Sequence, residues 1–391
     1  MSDYIDLMNK LRKKADIETK KVYKDILSSY ARVYNNYKKE LAKVPPGSLR
    51  EAWIRTQMKS LGTAMKDIAE SQEISVKGAM NRIIKESLSM NESYFNNVAK
   101  EAGLPDDLFT GMFTSLNTSV LKELLAGKAY KDGGTLSERV WKRTEEFNSR
   151  VEDILSDGLT AKKGYYDIAK ELEQYVKPSA RKDGKYVPGK KTIDYNAYRL
   201  ANTMITHSYQ TALARVNERN PFIDGIEWVG GHSSRSCKLC KSRNGTIYAA
   251  KKSEGRFTTE PLPLDHPNGF CKNIPYISDS LEDIGKRLGK WGRGESDDPE
   301  LDEWYDKYGV AYGGAKEVKR EVANTNKNTD KIFTSVTHEE MVKQGQAWID
   351  SLSDSEKKEF RRYTTSYYKI INKALRGVKN LQSLKEDYMI I

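Results

Sequence analysis

Apolar side chains recur every three or four residues through the first part of the chain, with lysines between them. One such stripe consists of Val22, Ile26, Tyr30, Val33, Tyr37 and Leu41. An α-helix turns once in 3.6 residues, so this spacing predicts one long amphipathic helix over residues 1–44. Pro45-Pro46-Gly47 ends it, because proline cannot donate the next helical hydrogen bond. The tyrosines on the stripe fit contact with a partner or packing on neighbouring helices.

The helical spacing continues through most of residues 49–219. Further helices are predicted from Leu49 to Phe95 with a break at Gly103-Leu104-Pro105, from Leu136 to Leu155, from Tyr165 to Leu172 and from Tyr195 to Arg219. Thr135 and Glu138 stand three residues apart at the start of one of them, which is the spacing of a capping box. The pattern predicts a mainly α-helical protein.

The periodicity changes between residues 225 and 277. Short apolar segments at 225–229, 245–248 and 274–277 are separated by glycine, proline and polar residues. Such segments are typical of β-strands joined by loops. The predicted fold is therefore mainly α with a small β-rich module, an α+β class protein with long N-terminal helices.

All three cysteines of the protein lie in this module. Cys237 and Cys240 form a C-x-x-C pair, and His266 and Cys271 follow after a long loop. Three thiolates and one imidazole suit tetrahedral zinc, so we predict a structural zinc site at Cys237, Cys240, His266 and Cys271. Two other interpretations are buried core cysteines and a redox-active pair. A catalytic zinc, which needs an open coordination position, is the weaker alternative.

The length, net charge and cysteine count limit the kinds of protein this chain can be. The chain has 391 residues, a net charge of +11 and a mean hydropathy of −0.73. The positive charge would attract nucleic acid or another acidic surface, or it belongs to ordinary solvated helices. An odd cysteine count argues against a disulfide framework and fits a reducing compartment. We expect neither a signal peptide nor a membrane segment.

Two polar regions complete the organisation. Residues 177–193 form a basic loop that could contact phosphates or lie free in solvent. Residues 278–337 read as a polar linker with short helices, flexible over 312–337. The predicted domains are a helical region at 1–134, a module at 135–277 with its Cys3His β subdomain at 225–277, the linker at 278–337, and a helical segment at 338–391.

Several motifs resemble the Mu F-like head morphogenesis family of tailed phages. They are Ser234-Arg235-Ser236-Cys237-Lys238-Leu239-Cys240, Asn244-Gly245-Thr246-Ile247-Tyr248, and the segment from Pro263 to Cys271. Leu136 to Trp141 and Met204 to Gln210 resemble the helices that precede the cysteine motif, so the resemblance spans about 135–277. Gly269 replaces the first cysteine of the family's closing pair, and His207 stands near a usual glutamate. His207 could bind a metal or be an ordinary buried helix histidine.

The resemblance implies a structural virion protein. Members are minor capsid proteins at the portal vertex, acting in procapsid assembly or in DNA delivery. Expected partners are the portal protein, a scaffolding or major capsid protein, and packaged DNA bound without sequence preference. The expected location is the capsid interior or portal vertex, after synthesis in the host cytoplasm.

The final segment resembles the opening helices of toxin-type ADP-ribosyltransferases. Ser353-Asp354-Ser355-Glu356 forms a capping box, and Tyr363-Thr364 and Ile371-Asn372 follow on the next helix. The family's catalytic arginine, S-T-S strand and E-x-E loop come later, and the sequence ends at Ile391. We therefore expect NAD chemistry to be absent and the protein not to be an enzyme.

Three alternatives remain open at the sequence level. One is an ADP-ribosyltransferase toxin fusion truncated before its catalytic motifs. Another is a DNA-binding zinc module, since Arg235, Lys238, Lys241 and Arg243 flank the cysteine pair. The third is an HNH-type nuclease, suggested by Asp265-His266, although the second metal-binding histidine that such chemistry needs does not follow.

Overall fold

The computed structural model describes most of the chain up to residue 335. The described residues are 2–41, 43, 51–161, 163, 165–176, 193–230, 236–249, 255–267, 269, 271–335, 353 and 357. The helices are α1 (Ser2–Leu41), α2 (Glu51–Glu101), α3 (Asn117–Leu125), α4 (Leu136–Thr160), α5 (Tyr165–Val176), α6 (Ile193–Arg219), α7 (Lys238–Arg243), α8 (Leu281–Gly292), α9 (Pro299–Tyr308) and α10 (Ala315–Ser335). The strands are β1 (Gly225–Val229), β2 (Ile247–Tyr248) and β3 (Lys272–Tyr276). The prediction of a mainly helical protein with a small sheet is confirmed.

Helices α1 and α2 pack against each other in antiparallel directions. Hydrogen bonds join Arg82 to Glu18, Ser75 to Asp25 and Gln72 to Ser29, so residue numbers rise along one helix as they fall along the other. Of the α1 face predicted from periodicity, Val22, Ile26, Tyr30 and Val33 are buried, and the first two are almost inaccessible to solvent. Helix α4 packs against α2, α5 packs against α1, and α6 packs against both.

Helix α4 begins with the capping box predicted from the sequence. The amide of Glu138 donates to the Thr135 hydroxyl at 3.2 Å, and the amide of Thr135 donates to the Glu138 carboxylate at 2.8 Å. Each bond satisfies an amide that the helix itself leaves unpaired. The ends of the next two helices, α5 and α6, lie within four residues of their predicted positions.

The three strands form one antiparallel sheet in the order β2-β1-β3. Glu227 of β1 lies opposite Ile247 of β2 and Ile274 of β3. The sheet does not share the main helical core: Trp228, Cys240, Tyr248 and Cys271 form a buried cluster of their own. This cluster is a small apolar core for a β module, and modules with small cores are commonly stabilised by a bound metal.

Much of the region predicted as a polar linker at 278–337 is helical, and α8 and α9 each bury one face. Trp291 and Tyr305 are fully buried, and the Tyr305 hydroxyl donates to the carbonyl of Leu108 at 3.0 Å. The flexible linker predicted over 312–337 was wrong for 315–335, which form α10. Charge outnumbers apolar residues there, but Ala315, Val318 and Val322 share one buried face.

Contacts divide the chain into two compact units, residues 1–322 and 323–391. The predicted segments 1–134 and 135–277 therefore lie in one unit, because α2 packs on α4 and α6 across the predicted boundary. The basic loop at 177–192, Pro45-Pro46-Gly47 and the boundary at 337/338 lie outside the described residues. In the described part of the chain, no helix has the length and apolar character to span a bilayer.

Candidate metal centre

The cysteine pair is held by the short helix α7. Cys237 caps its N-terminus, and the amide of Cys240 donates to the Cys237 sulfur at 3.3 Å. This hydrogen bond lowers the pKa of the exposed Cys237 thiol. Because Cys240 follows one turn later, its sulfur points to the same side but is buried. Gly245, at φ +79°, makes the left-handed turn from α7 into β2.

His266 faces the pair. Its Nε2 lies 3.2 Å from the Cys240 sulfur, and its Nδ1 lies 3.1 Å from the carbonyl of Pro267. A carbonyl oxygen can only accept, so this contact places the proton on Nδ1 and leaves a lone pair on Nε2. Ligand histidines in metal sites are oriented by this kind of second hydrogen bond. In the neutral imidazole, Nε2 is therefore the atom available to a cation.

Cys271 reaches the cluster from the start of β3. Its sulfur, the Cys240 sulfur and an Asp265 carboxylate oxygen lie within 4.8 Å of one another, as do the donor atoms of Cys237, Cys240 and His266. The structure thus brings the four predicted residues together as two overlapping sets that share Cys240. Their role as ligands stays a prediction.

The donor chemistry fits zinc. Sulfur and nitrogen ligands at about 2.3 and 2.0 Å from a tetrahedral ion lie about 3.5–3.8 Å apart, and the donor atoms within each of the two sets lie within 4.8 Å of one another. Burial raises the pKa of Cys240 and of Cys271, so both thiols hold their protons unless a cation compensates. Lys238, Lys241 and Arg243 lie on α7 and offset the net negative charge of a three-thiolate site.

His207 is not part of the cluster. Its Nε2 donates to the carbonyl of Asp265 at 2.9 Å, and burial lowers its pKa to about 4. Of the two sequence-level interpretations, the structure therefore favours the buried helix histidine. Its effect on the centre is indirect, because it binds the residue next to His266.

Sequence reasoning considered Asp265 only as part of a nuclease motif with His266 and missed its place at this centre. Its carboxylate is buried and accepts from the amides of His266 at 2.8 Å and Cys271 at 3.0 Å. Burial raises the pKa of Asp265, and these amides partly offset the rise. The sequence placed Asp265 beside a candidate ligand, but its use as an acceptor for two ligand amides depends on the closed loop.

One comparison with known proteins gives a match. The family model described as ADP-ribosyltransferase exoenzyme matches residues 341–389. No curated protein and no solved structure matches the chain.

The match bears out the toxin-like resemblance of the C-terminal segment. It contradicts the prediction that the protein is not an enzyme, because the matched family is one of transferases. That prediction rested on motifs expected farther along the chain, whereas the matched segment itself carries the family pattern. Of the matched residues, the structure describes Ser353 and Lys357. The amide of Lys357 donates to the carbonyl of Ser353 at 2.8 Å.

Proposed function

We propose that this protein is a minor head protein of a tailed bacteriophage, of the Mu F-like head morphogenesis kind. The observation that carries the proposal is the convergence of Cys237, Cys240, His266 and Cys271 beside a small sheet that directly follows α6. These are the residues on which the resemblance to the phage family rests. In this role the protein acts at the portal vertex, in procapsid assembly or in DNA delivery.

The cluster is proposed to hold one structural zinc ion. Its three thiols and one imidazole leave no open coordination position, which is the arrangement of a structural rather than a catalytic site. When bound, zinc supplies the folding free energy that the small apolar core of the sheet lacks. The chain's own residues supply three sulfur donors, one imidazole donor and the basic side chains of α7.

The proposed partners are the portal protein, a scaffolding or major capsid protein, and packaged DNA. A basic face of α1 supports the last of these. Lys10, Lys13, Lys20 and Lys24 are exposed on one side of the helix, opposite the buried stripe. Lysines on one face suit contact with a phosphate backbone, which gives affinity without sequence preference.

A second function is proposed for the C-terminal segment, namely transfer of ADP-ribose from NAD. The family match over residues 341–389 supports it. A virion protein with such a segment could enter the host with the phage DNA and modify host components there. The two functions are compatible, because the matched residues, 341–389, follow the 135–277 module in the sequence and do not overlap it.

Mass spectrometry of purified particles tests the virion role. We expect peptides of this protein in procapsids and mature particles, at a few copies per portal, and co-purification with the portal protein. Absence from both kinds of particle, in a lysate where the protein is detected, would refute the role.

The enzymatic role needs a separate assay. The purified full chain is incubated with biotin-labelled NAD and a host lysate, and we expect transfer of the label to host protein. A loss of labelling with excess unlabelled NAD is the specificity control. No transfer above a heat-inactivated sample would count against the second function and leave the first unaffected.

A further inference from the structure

The loop that carries His266 and Cys271 is tied to α6 through its backbone. Two α6 side chains donate to its carbonyls, Asn202 to Gly269 at 2.9 Å and His207 to Asp265 at 2.9 Å. The Tyr209 hydroxyl donates to the Cys271 carbonyl at 3.2 Å. Gln210 accepts from the amide of Asp265 at 3.1 Å. Helix α6 therefore contacts the backbone of the loop at both of its ends and in its middle.

These four side chains are buried: Asn202 and Gln210 are 1% exposed, Tyr209 3% and His207 4%. Burying a polar group costs free energy unless it is hydrogen-bonded, and the loop backbone supplies a partner to one polar atom of each of these side chains. Helical spacing puts Asn202 and Tyr209 on the same line of the helix, with Gln210 beside them and His207 one turn before Gln210. The four polar side chains of α6 therefore follow the backbone of this loop.

The loop is also braced from within. The Asp265 carboxylate accepts from the amides of His266 and Cys271, the two candidate ligands of the loop. A Cβ atom at position 269 would lie 2.0 Å from an Asp265 oxygen, so the loop closes around the carboxylate only with glycine there. Because one carboxylate accepts from both amides, the backbones of His266 and Cys271 are held close together without a bound cation.

Arg12 of α1 orients the contact nearest to Cys271. Its guanidinium donates to the Tyr209 hydroxyl at 3.0 Å and to the Thr206 hydroxyl at 3.3 Å. Because the Tyr209 oxygen accepts from Arg12, its own proton is directed to the Cys271 carbonyl. Arg12, on the first helix of the chain, therefore helps to position the backbone of Cys271 through Tyr209.

We propose that α6, which supplies no metal ligand, presets the metal-binding loop, and that His207 and Tyr209 are its main positioning residues. The inference rests on the proposed zinc site and is independent of the virion role. A preset loop does not lose backbone freedom on binding, so its affinity exceeds that of a free loop with the same ligands. Partners behind metal ligands typically change affinity by about 10–100-fold.

The test measures zinc affinity of the full chain by competition with a chromogenic chelator, and the visible spectrum of the cobalt-substituted protein. His207→Ala is expected to lower the affinity by about 10–100-fold, and His207→Gln, which keeps a donor, to recover most of it. Tyr209→Phe removes one hydroxyl and keeps the ring, and an effect of about 10-fold is expected. Tyr198→Phe makes the same change on the same helix, at a ring that packs on Tyr23 of α1; it is the matched control and should bind zinc normally.

Stability of the metal-free variants separates positioning from simple structural support. The inference predicts lower affinity and an altered cobalt spectrum in variants whose metal-free unfolding midpoint is close to that of the wild type. Wild-type affinity in both His207→Ala and Tyr209→Phe would overturn it, as would affinity losses that merely follow loss of helical structure. A wild-type protein that binds no zinc would overturn the zinc site itself, and this inference with it.

Discussion

Gly230 and Cys271 touch across the end of the sheet. A Cβ atom built on Gly230 would lie 2.5 Å from the Cys271 sulfur, closer than any real contact of that kind. Gly230 follows β1, and Cys271 precedes β3, its antiparallel neighbour. The position of one candidate ligand therefore depends on the absence of a side chain on the adjacent strand.

Gly230→Ala should displace the Cys271 sulfur. We expect lower zinc affinity and, from overpacking, a loss of about 1–3 kcal/mol in the free energy of unfolding. Gly285→Ala is the control: its Cβ would lie 3.9 Å from the nearest atom, within helix α8. There the free energy of unfolding should rise by about 0.5–1 kcal/mol, because alanine favours a helix. Equal affinity for zinc in both variants would contradict the role of Gly230.

Cys237→Ser should release the metal and loosen residues 225–277 while the N-terminal helices stay folded. The α1–α2 hydrogen bonds of Glu18 with Arg82, Asp25 with Ser75 and Ser29 with Gln72 involve no residue of the cluster, so we expect them to survive its loss. Elemental analysis would give the zinc content, and hydrogen exchange the regional protection. Ser242→Ala, on the same short helix, should keep its zinc. An unchanged zinc content in Cys237→Ser would refute the proposed site.

Stability of the metal-free protein should fall as the pH drops from 8 to 5, in part because of His207. Burial lowers the pKa of His207 to about 4, below its unfolded value of about 6.5. Between these values the unfolded chain binds the proton and the folded chain does not, so acid favours unfolding. The stabilisation is complete above about pH 6.5 and is lost as the pH falls towards 4.

The expected loss from this one group is about 2 kcal/mol between pH 8 and pH 5. Urea unfolding of the reduced, chelator-treated protein at the two pH values measures it. His207→Gln keeps a donor to Asp265 but does not titrate, so its pH dependence should be smaller by that amount. The same pH dependence in both proteins would show that folding does not lower the pKa of His207.

The basic face of α1 should account for much of any DNA binding. Replacement of Lys10, Lys13, Lys20 and Lys24 by glutamine should weaken binding to random-sequence duplex and reduce the salt dependence by about one unit of log–log slope per lost phosphate contact. A control with the same change in charge replaces four other exposed lysines, namely Lys122, Lys128, Lys142 and Lys290. Equal weakening in both would indicate a general charge effect.

A third variant compares the α1 face with the cysteine knuckle. Lys238 and Lys241 are exposed on α7, and their replacement by glutamine tests the alternative of a DNA-binding zinc module. We expect a smaller effect than for the α1 face, because α7 is short and presents few cationic side chains. A larger effect would favour the zinc module. Fluorescence anisotropy at several salt concentrations measures all three variants.

The sequence by itself determined the features that depend on near neighbours along the chain. Helix spacing identified α1, α2 and α6, and the Thr135–Glu138 capping box and the C-x-x-C turn were predicted from residues three positions apart. These are local interactions, so the residue pattern contains both partners. Ser280 and Asp298, which cap α8 and α9, were equally local signals that the polar composition of 278–337 obscured.

Tertiary structure alone decided which distant groups meet. The burial of Trp291 and Tyr305, the use of His207 as a donor to Asp265, and the closure of residues 265–271 around a carboxylate all join segments far apart in sequence. No periodicity encodes such contacts, because they depend on how helices pack and where a loop returns. The chain contains the four candidate ligands, but the fold of α6 and the sheet brings them to one place.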